Sequence, residues 1–145
     1  MKHNNKSVFN YGDVSTCSFH ATKVFHTGEG GCIIANDDQI ANAEKGSVLN
    51  ARILWTFSAS YQTTKNENHK NLAKRAFEYL AANFYDTQFG GLFWSINEDK
   101  TPKDTKNQIY ALAFAIYGLS EYYSISEDQK ALEMAINLYS KIQDS

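Results

Sequence analysis

The sequence predicts an all-α domain of about two helical hairpins, preceded by a short segment of strands and loops. Three observations predict it. Apolar residues beyond about position 45 recur at three- and four-residue spacing, the period of one helix face. Residues 7–38 instead favour short β-prone runs punctuated by glycine and Asn/Asp turns. A chain of 145 residues is long enough for one domain with a real core.

Taken in order, Val8-Phe9-Asn10-Tyr11 is a β-prone run closed by Gly12-Asp13, and Ser15 to Phe19 is a second. Gly28-Glu29-Gly30-Gly31 must turn, because three glycines in four positions destroy helix propensity. Cys32 to Ala35 follows as a short buried-type strand, ended by Asn36-Asp37-Asp38. A first helix is predicted over about 47–63, with Val48, Leu49, Ile53, Leu54, Phe57 and Tyr61 on its apolar face. Thr63 to Asn66 breaks it. A second helix over about 67–84 presents Leu72, Ala76, Tyr79, Leu80 and Phe84. Asp86 to Gly91 reads as a turn and Leu92 to Ile96 as a short extended piece. Asn97 to Lys103 reads as a polar loop, in which Pro102 stops any helix. A third helix is predicted over about 105–123, with Ile109, Leu112, Ala113, Ile116 and Leu119 inward. Ser126 to Gln129 has the spacing of a capping box with a serine N-cap. It opens a fourth helix through Leu132, Ala135, Ile136, Tyr139 and Ile142. Ala73–Leu80 echoes Ala131–Tyr139 in its spacing, a weak internal repeat. Repeated helical hairpins bury a common face only by stacking on neighbours.

Composition excludes several classes. A net charge of -2 and a pI near 6.1 give no electrostatic reason to expect nucleic acid or an anionic membrane as partner. No apolar run approaches the roughly 20 residues a membrane-spanning helix needs. The polar start Met1 to Lys6 leads into no apolar signal core, so a cytoplasmic location is the default expectation. Cys17 and Cys32 read as reduced, structural thiols. No His or Cys spacing suggests zinc, and no metal is expected. Aromatics make up 14% of the chain, which suits core packing first and stacking on sugar rings second. Trp55 and Trp94 read as core residues.

The order Ser18-Phe19-His20-Ala21-Thr22-Lys23, followed by Gly28-Glu29-Gly30-Gly31, resembles the DegT/DnrJ/EryC1/StrS family of sugar aminotransferases over roughly residues 8–38. The resemblance implies that Lys23 corresponds to the Schiff-base lysine for pyridoxal phosphate and Ser18 to a ligand of the cofactor phosphate. Desolvation lowers a lysine pKa and makes the amine nucleophilic toward an aldehyde. That family builds its pocket from a large α/β domain, so the motif reads here as vestigial. Pyridoxal phosphate is expected only if this fragment were functional.

The later residues resemble the N-acylglucosamine 2-epimerase family, in its cellobiose 2-epimerase branch. Lys45 to Ser58, Phe89 to Ser95 and Asp104 to Tyr123 carry this resemblance in unbroken order. It implies a partial (α/α)6 barrel, in which helical hairpins form a ring around a central bowl. It also implies inversion at C2 of a reducing-end sugar through a cis-enediolate, with no cofactor. Such inversion needs a proton-transfer base on each face of the sugar and a cation near the oxyanion. By motif position Arg52 corresponds to the active-site arginine and is the catalytic candidate. Tyr110 corresponds to a tyrosine lining the bowl and is the substrate-binding candidate. The family's catalytic histidines lie in later hairpins, and none of His3, His20, His26 and His69 matches them. His69, between Asn68 and Lys70, is expected to be exposed.

The expected organisation is therefore an aminotransferase-like fragment over 1–38, poorly self-sufficient, and a partial epimerase-like helical domain over 39–145. The expected function is that of a carbohydrate 2-epimerase fragment, inactive alone, whose parent family takes a small-molecule sugar such as a disaccharide. Two alternatives stand beside it. One is a non-catalytic helical interaction module, self-associating through exposed apolar hairpin flanks. The other is a fragment of a pyridoxal-phosphate aminotransferase.

Overall fold

A computed structural model of the chain describes residues 44–144 and, before them, the backbone of four short strands. The chain divides into two compact units, Met1–Ala43 and Glu44–Ser145.

In the first unit, β1 (Lys2–His3) pairs antiparallel with β2 (Lys6–Ser7). β3 (Val14–Ser18) pairs antiparallel with β4 (Gly31–Ala35), placing Cys17 opposite Cys32. The two strands expected around 15–19 and 32–35 are thus present, the first shifted one residue toward the N-terminus and the second beginning one residue earlier. Gly31 belongs to β4 rather than to a turn. The run Val8–Tyr11, residues 28–30 and Lys23 lie outside the described residues.

In the second unit, β5 (Lys45–Gly46) leads directly into α1 (Ser47–Thr64), and α2 (Glu67–Asn83) returns antiparallel to it. β6 (Ser95–Ile96) and β7 (Pro102–Asp104) follow, then α3 (Ile109–Ser126) and α4 (Gln129–Gln143). The strands form an antiparallel sheet in the order β5-β6-β7. This sheet anchors the start of α1: the Ser47 backbone N–H and Oγ both donate to the Trp94 carbonyl, at 3.0 and 3.1 Å.

Two local expectations need correction. The polar loop does not extend to Lys103, because Pro102 opens a strand, a position where its missing N–H costs nothing. The third helix consequently begins at Ile109 and not near 105. Residues just before it are held by side chains: the Asp104 carboxylate accepts from the Lys106 N–H at 3.0 Å, and Asn107 Oδ1 accepts from the Leu92 N–H at 2.9 Å. Asn107 lies against Gly91, which has φ +99° and no room for a Cβ, so the Gly90-Gly91 turn requires glycine twice over. The N-cap of α4 is Asp128, not Ser126. Ser126 ends α3 and donates back to the Tyr122 carbonyl.

The two hairpins are one structural sentence written twice, 62 positions apart. α1 and α3 each have 18 residues and end at a left-handed residue, Lys65 (φ 54°) and Glu127 (φ 56°). Asn66 and Asp128 then cap α2 and α4 by accepting the N–H two residues on. Thr64 and Ser126 make the same hydroxyl bonds at the two helix ends. The echo seen in the sequence was offset by about one helical turn. An apolar pattern repeats nearly unchanged on that shift, so spacing alone does not set the register.

The core contains Leu54, Leu80, Phe84, Leu112, Leu119 and Leu138, all buried. Six residues expected inside are instead exposed: Leu49, Leu72, Ile109, Ala113, Ile136 and Tyr139. Helical period identifies an apolar stripe. Whether the stripe is covered depends on how many neighbours the helix has.

Candidate functional site

α1 and α3 lie parallel and in register. Arg52 faces Phe114, Trp55 faces Tyr117 and Gln62 faces Ser124, each pair separated by the same 62 positions. The two helices come close because α3 has a glycine at the crossing. A Cβ on Gly118 would stand 2.7 Å from the Ala51 carbonyl oxygen.

This parallel pair presents one row of side chains between the two helices. The half-buried Arg52 guanidinium sits over the Phe114 ring, 5.8 Å from its centroid. Tyr110, largely exposed, meets the same ring edge-on at 4.9 Å. The structure therefore brings the two candidates Arg52 and Tyr110 to one spot, with Phe114 between them. Phe114 was missed by sequence reasoning. Its signal was the spacing Tyr110, Phe114, Tyr117 on one side of α3. One turn further, Trp55 stacks on Tyr117 with centroids 5.3 Å apart and planes 20° from parallel.

Both tryptophan expectations change. Trp55 is half-buried in this row and not in the core. Trp94 is at the surface, and the fold uses its backbone: its N–H donates to the Asp104 carbonyl at 2.8 Å.

A guanidinium is a permanent cation with five donors, and a cation–π contact holds it at the aromatic face. Beside an exposed phenol, it can bind sugar hydroxyls and stabilise an oxyanion. The one histidine whose side chain is described does not stand near it. His69 Nδ1 lies 3.0 Å from Thr64 Oγ1, and its ring is tilted against Phe57 at 6.4 Å. His69 is thus half-buried, where exposure was expected. Thr64 is twelve residues beyond Arg52 on α1, roughly 18 Å along the helix, so this imidazole serves the far end. Titrations are perturbed elsewhere. Burial pushes the Tyr122 phenol up, with the Asp128 charge adding to it. The Thr101 hydroxyl bonded to Asp99 holds that carboxyl below its usual value.

Ser18 closes β3 opposite Gly31, with only its backbone described. Lys23 is outside the described residues. Among the described residues, no three His, Cys, Asp or Glu side chains group as metal ligands, and no helix is long and apolar enough to cross a membrane.

The sequence profile of the N-acylglucosamine 2-epimerase (GlcNAc 2-epimerase) family matches residues 30–144. A cellobiose 2-epimerase of Bacteroides fragilis is 48% identical over 113 residues, covering 78% of this chain and 29% of that protein. The solved structure of a cellobiose 2-epimerase from Bacillus thermoamylovorans superposes with a TM-score of 0.69 at 37% identity, over 70% of this chain and 26% of that one. The chain spans about a quarter to a third of the length of the relatives it matches. The four described helices accordingly form two hairpins of the (α/α)6 barrel that these neighbours build. A 34-residue stretch, 23% of the chain, is 56% identical to a dTDP-4-amino-4,6-dideoxy-D-glucose transaminase of Shigella dysenteriae and covers 9% of it.

Proposed function

This chain belongs to the N-acylglucosamine 2-epimerase family, and from that premise we propose that it carries part of a sugar-binding wall without the bases that turn the sugar over. The observation that carries the reading is the Arg52 guanidinium over Phe114 with Tyr110 on the same ring. In this reading Arg52 stabilises the negative charge of an enediolate formed at C1–C2 of the reducing-end sugar. Tyr110 and the Trp55–Tyr117 stack hold the apolar face and hydroxyls of a disaccharide. Inversion also needs proton transfer on both faces of C2. A guanidinium is not a general base, and His69 is committed to Thr64 at the far end of α1. The isolated polypeptide therefore binds weakly and does not epimerise.

Incubation with cellobiose in heavy water tests this. The expected result is no deuterium at C2 of the reducing-end residue, together with sugar-induced shifts of the Trp55 and Tyr110 resonances that Arg52→Ala weakens. Deuterium at C2 from preparations free of full-length epimerase would overturn the missing-base reading. Shifts that ignore Arg52→Ala would overturn the site.

The short likeness to a transaminase supports a second reading, confined to the N-terminal unit: residues 1–38 are a piece of sugar-aminotransferase sequence, bearing Lys23 and Ser18. As a fragment it is expected to hold no pyridoxal phosphate specifically. An absorption band of a Schiff base that Lys23→Ala abolishes would reverse that expectation.

A further inference from the structure

We propose that Cys17 and Cys32 are one oxidisable dithiol, which closes to a reversible disulfide across the β3–β4 hairpin. The chain has two cysteines, and the sheet register sets both on one rung: Cys17 of β3 is paired with Cys32 of β4. The flanking rungs pair Thr16 with Ile33 and Ser18 with Gly31. Directly opposite residues of an antiparallel pair share one face of the ladder. Their Cα atoms stand about 4.5 or about 5.5 Å apart, according to the type of rung. Both spacings fall within the roughly 4.4–6.8 Å that disulfides span. A slip of one residue along either strand puts the two cysteines on opposite faces. From sequence alone they read as two separate structural thiols; the register makes them a pair.

The bond acts on the least supported part of this unit. Among the described residues the β3–β4 sheet has two strands, and a two-stranded ribbon is marginal in water. A disulfide on the Cys17–Cys32 rung fixes the register and joins the ends of the stretch 18–31, in which Lys23 stands. Closing that loop restricts the unfolded chain more than the folded one. Oxidation therefore favours the paired hairpin, and the paired hairpin favours oxidation to the same extent. In a reducing compartment such a bond is transient and answers to the thiol poise.

The oxidant is a low-molecular-weight disulfide, RSSR. One cysteine thiolate attacks a sulfur of RSSR, the S–S bond breaks, and one RS⁻ leaves and takes up a proton. The second cysteine thiolate then attacks the protein-bound sulfur of the mixed disulfide. The Cys17–Cys32 bond forms and the second RS⁻ leaves, again taking a proton. Two protein thiols lose two electrons and two protons, and RSSR gains them as two RSH. The step belongs to the first unit and is independent of the sugar chemistry proposed for the second.

The experiment is a redox titration of the full 145-residue chain with mixtures of oxidised and reduced glutathione, in native buffer and in concentrated urea. Acid quenching, alkylation and mass spectrometry count the free thiols. The expected product is a monomer that has lost two hydrogens. Its formation is expected to be on the order of 100-fold more favourable in native buffer than in urea, the size that closing a loop of about 15 residues implies. Two variants read the register. Cys32→Ser with Ile33→Cys moves one thiol to the other face and is expected to abolish the native preference. Adding Cys17→Ser and Thr16→Cys brings both thiols onto the Thr16–Ile33 rung and is expected to restore a preference of at least about tenfold. Equal equilibria in buffer and urea would overturn the proposal. So would a one-thiol shift that keeps the full preference, a restored rung that regains none, or a native product that is mainly the glutathione mixed disulfide or a disulfide-linked dimer.

Discussion

Phe77 in the first hairpin and Tyr139 in the second hold one register position, yet the first is buried under Tyr122 and the second lies open. The same contrast runs through Ala51 and Ala113. The 18-residue length and left-handed end of α1 recur in α3, and the N-cap of α2 recurs in α4. Burial does not. Local structure is thus written into each hairpin separately, while the core is a property of the pair. The first hairpin keeps its partner-facing side dry because a second follows it. In a stacked-repeat architecture, nearest-neighbour contacts supply much of the stability.

The largest test of this contrast is truncation at the shared position. Phe77→Ala removes a buried ring that stacks on Tyr122 and is expected to cost about 3–5 kcal/mol of unfolding free energy. Tyr139→Ala, measured at dilutions where the chain is monomeric, is expected to change stability by no more than about 0.5 kcal/mol. Urea titration of both variants measures the difference. Equal costs would mean that Tyr139 packs against something in the monomer, and the contrast between the hairpins would fail.

A smaller effect of opposite signs is expected at the helix crossing. In Gly118→Ala the added methyl meets a backbone oxygen that cannot rotate aside. Overpacking of this kind costs about 1–3 kcal/mol, partly offset by about 1 kcal/mol of helix propensity. The net outcome is a less stable protein. Thr56→Ala at the matching position carries only the propensity gain and is expected to stabilise by about 0.5 kcal/mol. A Gly118→Ala variant that melts higher than wild type would show that the helices do not approach as closely as the glycine implies.

Much of this was readable in the residues, and the failures share a physical cause. The bounds of α1 and α2 fell within a residue of expectation because Thr63 to Asn66 is a strong break and the flanking apolar period is regular. The start of α3 was misplaced by four residues because Asp104 accepts the Lys106 N–H in a local turn and Asn107 accepts the distant Leu92 N–H, a contact that helical period does not show. Pro102 was read only as a helix stop, although a proline also opens strands. Arg52 and Tyr110 were singled out by motif position, and in the structure both side chains meet the Phe114 ring. Phe114, which joins them, was hidden because a phenylalanine at helical spacing looks like any core residue. Ile109, Ala113, Ile136 and Tyr139 were assigned inward because periodicity reports which side of a helix is apolar and nothing about whether that side has company.

The finest test compares the caps, where the hairpins should agree and not differ. Asn66 Oδ1 accepts the Asn68 N–H at 3.0 Å, and Asp128 Oδ1 accepts the Lys130 N–H at 2.9 Å. Both residues are preceded by a left-handed residue that ends the previous helix. Neither cap depends on the neighbouring hairpin. Asn66→Ala and Asp128→Ala are therefore each expected to cost about 1 kcal/mol, matching within a few tenths. The measurement is the shift of the urea midpoint at constant slope. If the Asp128 variant lost several times more than the Asn66 variant, the second hairpin would depend on its cap in place of a neighbour. The two hairpins would then differ in local encoding as well as in cover, and their shared register would no longer stand for a shared local structure.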